Sequence, residues 1–240
     1  MKRRINFFLG HLLISLIIAL LAMGFVFLIW YPAPLAKALG VTHISLMLLA
    51  IDVILGPVLG FIVFKEGKKT LKMDLAIIIV LQLSALSYGL FSIYQGRPVW
   101  LVFQNDHFDL VRLNDVVLDT KAHKMNWLKP QLRAVDMGQT ALQKNKYVVE
   151  EMQTGIPASY RVERYIPIEQ SANEMLAKKR DLKDLNHFNK AHDVLKIVKQ
   201  YPQAAGWLPL RVMTGIDMVI LIDSKGAVVK TVDLRPWKLS

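Results

Sequence analysis

An aspartate stands inside the second long apolar run of this chain. Asp52 lies within Val41–Phe64, VTHISLMLLAIDVILGPVLGFIVF, a run of 24 residues that is long enough, as helix, to cross a bilayer. A carboxylate near the bilayer centre costs roughly 3 kcal/mol on insertion scales. Asp52 must therefore face another helix, water or a partner protein, and no intramembrane Lys or Arg is available as a counter-ion. Gly56, Pro57 and Gly60 follow it. The Gly56-x-x-x-Gly60 spacing lets a second helix approach the backbone closely. Two readings stay open: a surface for a partner's helix, or a neutral, internally hydrogen-bonded Asp52 beside glycines that pack the chain's own helices. Depth arithmetic names internal partners. Counting from Phe64 and Asp74 at ~1.5 Å per residue, Asp52 lies about 18 Å deep, Gln82 about 12 Å, Ser84 about 15 Å and Ser87 about 20 Å. Ser84 or Ser87 is thus the expected donor to Asp52, ahead of Gln82.

Other chemistry-bearing groups lie in the polar half. Asp106, His107 and Asp109 cluster near a turn; turn chemistry explains them, and an acid–base site is the alternative. His187 and His192 are five apart, which puts them on different faces of a helix rather than at ligand spacing. Asp217 and Asp223 read as turn and edge residues, and Trp100, Trp127, Trp207 and Trp237 as core anchors. The chain has no cysteine, hence no disulfide framework, thiolate metal site or Cys nucleophile. It has no Gly-rich phosphate loop, nucleophile elbow or His-Glu zinc motif. No catalytic, cofactor or metal residue is assigned.

The elements that position these residues follow from the uneven spread of apolar residues. Three apolar runs fill the first 95 positions, with spans expected at about 7–31, 41–64 and 74–94, and the rest alternates like a soluble domain. The first run is longer than the 7–15 residues typical of a signal core, so it reads as an uncleaved span. Trp30 and Tyr31 mark its outer interface. His11 lies near its inner end as an interfacial or helix-contact residue. Lys2, Arg3 and Arg4 precede it, four lysines fall within Lys65–Lys72, and only Lys37 lies between spans one and two. The positive-inside bias then puts the N-terminus and the 65–72 loop in the cytoplasm and residues 96–240 outside. That domain carries 22 Lys/Arg against 16 Asp/Glu. This moderate excess suits anionic headgroups or an acidic partner and is too diffuse for nucleic acid.

Within residues 96–240, Val99–Phe103 and Phe108–Leu113 form a hairpin-like start. Residues 120–146 are basic and irregular, read as a solvated loop or short helix, with a binding face as the alternative. Tyr160–Ile166 is a strand candidate, and Ile168–Lys199 has helical composition with a partial apolar stripe. Met218–Asp223 and Ala227–Leu234 flank the tight turn Ser224-Lys225-Gly226 and give the clearest hairpin signal. The expected fold is an α-helical membrane anchor of three transmembrane helices (1–95) plus a small α+β periplasmic domain (96–240).

These residues resemble a known family. Ala50-Ile51-Asp52-Val53-Ile54-Leu55-Gly56-Pro57, Asp74-Leu75-Ala76, Gln82 to Gly89, Gly96-Arg97-Pro98-Val99 with Phe103, Leu208-Pro209-Leu210 and Pro236-Trp237 are similar to the type IV pilin accessory proteins of the TfpX/TfpZ group. The resemblance is strongest over residues 50–108, while 120–205 match nothing that can be quoted. It implies an inner-membrane, multi-pass protein acting in assembly or display of a cognate pilin, with no established catalysis and no cofactor. Asp52, Gly56, Pro57, Gly60, Gln82, Ser84 and Ser87 are then candidate pilin or helix contacts, and Arg97, Pro98 and Phe103 a candidate structural motif. The expected partners are the pilin and the lipid bilayer, not nucleic acid, with self-association left open. The alternatives are a membrane-anchored envelope- or pilin-modifying enzyme and a periplasmic sensor; cytoplasmic parts limited to 1–6 and 65–73 are too short for a sensor's output domain.

Overall fold

The structure is a computed structural model that describes residues 1–116, 126, 128–138 and 140–238. The described chain forms two compact units: Met1–Ala36 with Gly40–Gly96, and Lys37–Leu39 with Arg97–Ser240.

The first unit is helical. Helix α1 (Lys2–Phe25) continues through a π-helical turn, Val26–Trp30, and a short helix α2 (Leu35–Ala38) follows. Helices α3 (Val41–Val63) and α4 (Leu71–Gln95) complete it. The long apolar runs 2–30, 41–63 and 71–95 are each long and apolar enough to cross a membrane. Their ends are fastened by groups that suit a bilayer interface. The Arg4 guanidinium donates to the Phe61 carbonyl (2.5 Å) and lies 4.1 Å from the centre of the Phe61 ring, placing a cation at the negative end of α3. At the opposite end the Tyr31 hydroxyl donates to the Ile93 carbonyl (2.6 Å), and Trp30 packs on Tyr94 with ring centres 5.1 Å apart. Pro57 sits buried inside α3.

The second unit is α+β, as expected. A seven-stranded mixed sheet runs in the order β4-β3-β1-β2-β5-β6-β7. Its strands are β1 (Pro98–Gln104), β2 (His107–Arg112), β3 (Gln131–Val135), β4 (Tyr165–Ile166), β5 (Gly206–Arg211), β6 (Met218–Ile222) and β7 (Val228–Val232). β1 and β2 form the expected antiparallel hairpin, with Phe103 opposite Phe108. β6 and β7 form the second. Its turn is held by the Asp223 carboxylate, which accepts from the Lys225 and Ala227 amides (both 2.8 Å), with Gly226 at φ +82°. Strands β1, β2, β5 and β6 are buried on both faces, as central strands of a covered sheet are. One core gathers Trp100, Val102, Val135, Val162 and Tyr165; another gathers Leu185, Val194, Trp207, Val219 and Leu221. Trp100 and Trp207 are thus core anchors, whereas Trp237 is half-buried and donates through Nε1 to Asp217 (3.0 Å). Trp127, Lys121 and Lys124 lie outside the described residues.

Three expectations are corrected here. Residues 131–135, within the stretch read as loop or short helix, form β3, and helix α5 (Ala141–Thr154) begins after a Thr140/Gln143 capping box. β3 pairs parallel with β1, so its partner lies far along the chain and leaves no hairpin signal. Tyr160–Ile166 is mostly 3₁₀ turn, with a bridge at Arg161, and Tyr165 and Ile166 pair with β3. The helix read at 168–199 is broken into α6 (Ala172–Lys178), a 3₁₀ stretch (Leu182–His187) and α7 (Ala191–Gln200). The break forms because Arg180 bridges to Trp207, Asp181 caps the next turn through the Lys183 amide (2.8 Å), and the Asn189 side chain bonds the Leu185 and Arg235 carbonyls (both 2.9 Å).

Candidate functional site

The polar groups of the helical unit converge on one side chain, Gln82. Its Oε1 lies 3.1 Å from His11 Nε2 on α1. Its Nε2 donates to Ser15 Oγ on α1 (3.0 Å) and to the Asp52 backbone carbonyl on α3 (2.7 Å). A single amide thus ties all three long helices together. Gln82 can reach because α3 has no side chain in the way: a Cβ on Gly56 would stand 2.1 Å from Gln82 Oε1 and 2.4 Å from its Cδ. Gly60 is filled from the other side, where a Cβ would meet Phe7 at 3.1 Å and His11 Nδ1 at 3.2 Å. The small-residue face is therefore packed by the chain's own α1 and α4, which is one of the two readings the spacing left open.

Gln82, not the serines, meets α3 beside Asp52. Ser84 donates to the Val80 carbonyl of its own helix (2.7 Å) and is exposed, as is Ser87. The depth estimate erred on where the helix begins. α4 starts at Leu71 rather than Asp74, so Gln82 is as many residues from the start of α4 as Asp52 is from the end of α3. Both then lie about 16 Å deep at ~1.5 Å per residue. Sequence reasoning did not single out Ser15, although a hydroxyl one turn beyond His11 was its signal. It also did not use Gly89, where a Cβ would lie 2.4 Å from a Leu48 methyl and where α3 and α4 therefore approach closely.

Asp52 is 6% exposed, and its Oδ2 has no hydrogen-bond partner among the described residues. It lines a cavity of about 30 Å³ shared with Ser15, Leu49 and Gln82. Beside that cavity a groove of about 370 Å³ opens between α1 and α4. Its walls are apolar, with Phe7, Ile14 and Ile18 on one side and Ile79 and Leu83 on the other; His11, Ser15 and Gln82 also border it. The arrangement can hold an elongated apolar object and offer it polar groups partway along.

The second cluster lies in the α+β unit. His107, 9% exposed, has Nδ1 3.0 Å from Asp106 Oδ1 and Nε2 3.4 Å from Asp109 Oδ1, while Arg211 Nη1 approaches Nε2 at 3.2 Å. Gln104 donates to Asp109 Oδ2 (2.7 Å), and Arg180 stands 3.8 Å from Asp106. Burial of the ring opposes its charge, but hydrogen bonds to Asp109 and Asp106 outweigh it, so the His107 pKa is raised; the bond to His107 lowers that of Asp106. These residues form an ionic strut at the β1–β2 turn and the end of β5, with His107 and Asp109 buried and Asp106, Arg180 and Arg211 part-exposed, more than the turn chemistry expected of them. Arg97 is buried, its carbonyl accepts from the Leu113 amide (2.9 Å), Pro98 begins β1, and Phe103 packs on Phe108. His187 and His192 fall on separate elements, and no group of three or more His, Asp or Glu with metal-binding geometry occurs among the described residues.

Comparison with known proteins decides the family. The family model for fimbrial assembly protein FimB matches residues 1–40. The fimbrial assembly protein of Dichelobacter nodosus serogroups C1 and C2 is 39% identical over 111 residues, which are 45% of this chain and 85% of that protein. The chain belongs to the fimbrial assembly protein family. The family resemblance read from the sequence is thereby borne out. Fimbrial assembly proteins of D. nodosus serogroups I and E1 are 39% and 38% identical over 111 residues, and the match spans 43% of the length of each. No solved structure matches.

Proposed function

We propose that this fimbrial assembly protein is an inner-membrane accessory factor that binds its cognate pilin in the membrane and the periplasm during assembly or display of the fimbria. Membership of the fimbrial assembly family carries the reading. The three apolar helices supply a membrane anchor. The orientation rests on charge: Lys2, Arg3 and Arg4 and the four lysines of residues 65–72 sit at one end of the spans, and Lys37 alone lies in the loop between the first two. On that orientation the sheet domain is periplasmic and faces the pilin head. No chemical step is assigned, because the function asked of the chain is to hold a subunit that already crosses the same bilayer.

The test is affinity capture of the full-length chain from its own cells in a mild detergent, probed for the major pilin. Co-capture at a level well above that of an unrelated three-span control is expected. Capture of intact protein with no pilin above that control would overturn the reading.

A further inference from the structure

We propose that the α1–α4 groove is a lateral docking site for a single apolar transmembrane helix, and that Asp52 is its polar anchor, taking an N–H or O–H donor carried partway along that helix. This rests on the reading above, under which the helix is the pilin's.

The shape and chemistry of the site select the occupant. The groove follows α1 from Phe7 to Ile18, about 16 Å at ~1.5 Å per residue, which is three helical turns. It is a slot parallel to a helix. Gly10 lines it, and a Cβ there would meet nothing within 4 Å, so a neighbouring backbone can come close. A lipid chain would satisfy the apolar walls but would bring no donor to the buried Asp52 carboxylate beside them. Asp52 Oδ2 lacks a partner among the described residues. Buried polar atoms in a bilayer are costly unless paired. The Asp52 cavity borders the groove through shared Ser15, Ile18, Gln82 and Leu83. Its volume of about 30 Å³ exceeds the ~10–15 Å³ a water needs, and so admits one small donor group. An apolar helix with one donor matches the walls and the unbonded carboxylate together.

The experiment places a photocrosslinking amino acid at Leu83 or Ile79 in the groove, and at Leu81 on the far, exposed side of α4, in the full-length chain in its native membrane. Adducts are probed for pilin, for a second copy of the chain and for lipid. Pilin adducts from Leu83 and Ile79, at least fivefold above Leu81, are expected. Gly10→Leu fills the slot without touching the Gln82 hydrogen bonds and is expected to lower them at least fivefold. Asp52→Asn is expected to keep them within about twofold and Asp52→Leu to lower them about tenfold. Adducts only to a second copy, labelling only by lipid, or pilin adducts indifferent to Gly10→Leu would each overturn the inference. If pilin still co-purifies with the chain while the groove gives no pilin adduct, the docking site is wrong and the proposed function stands. If pilin neither co-purifies nor crosslinks, both fail.

Discussion

Replacing Gly56 by alanine tests the central packing feature of the membrane helices. The added methyl would sit 2.1 Å from Gln82 Oε1, so the amide must leave. Gln82 is the far end of a flexible side chain and can swing aside, which makes the overlap itself cheap. The cost is then the three hydrogen bonds the amide gives up, to His11, Ser15 and the Asp52 carbonyl. Interhelical hydrogen bonds in membranes average about 0.6 kcal/mol each, so Gly56→Ala should destabilise the helical unit by about 2 kcal/mol. The same origin predicts strong coupling. In a Gln82→Ala background the methyl meets no amide, and Gly56→Ala should cost about nothing. Equilibrium unfolding of the four proteins in mixed micelles gives the cycle, with an expected coupling of about 2 kcal/mol. A Gly56→Ala cost that is the same in both backgrounds would refute the reasoning, because the glycine would then be needed for something other than the passage of Gln82.

Other outcomes follow from the same geometry. Ser84→Ala and Ser87→Ala should each change stability by less than about 0.5 kcal/mol, as exposed positions do, while Ser15→Ala loses a bond to Gln82 and should cost more; the same micelle assay ranks them. His107 has a raised folded pKa, so its ionic strut contributes stability that is fully present below about pH 6.5 and is lost as pH rises through the folded value. Thermal unfolding of the full chain from pH 6 to 9 should show that decline, and His107→Gln should flatten it. Asp106, with a lowered pKa, works in the opposite sense, its contribution being lost as pH falls below about 3.9 toward the folded value. Gly226→Ala combines a φ of +82° with a methyl 2.5 Å from the Ala172 carbonyl oxygen, and should destabilise the α+β domain by about 2 kcal/mol or more, read from near-UV circular dichroism melts.

The three long apolar helices were legible in the sequence because an apolar run of bilayer length admits few structures. Their ends were less legible. Starting α4 three residues late moved every depth on it by about 4.5 Å at ~1.5 Å per residue, enough to nominate Ser84 and Ser87 over Gln82. In the α+β domain the two hairpins were readable because their partners are adjacent in the chain. β3 and the bridge of Arg180 to Trp207 were not, since each is decided by a partner far away in sequence. β5 hid behind Pro209, which a central strand tolerates here because β2 pairs only with Leu210 and Arg211, beyond the proline. The glycine spacing near Asp52 was visible as a close-packing signal, but a spacing cannot say whose helix fills it; Gln82, Phe7 and His11 supply that answer.

The most direct measurement of the account is the amount of surface fimbriae on cells that lack this chain, compared with cells that carry it restored at native level. The account predicts that fimbriae fall sharply without the chain and return with it, while pilin is still synthesised. Fimbriation unchanged by its loss, in cells with no second copy of the family, would contradict it.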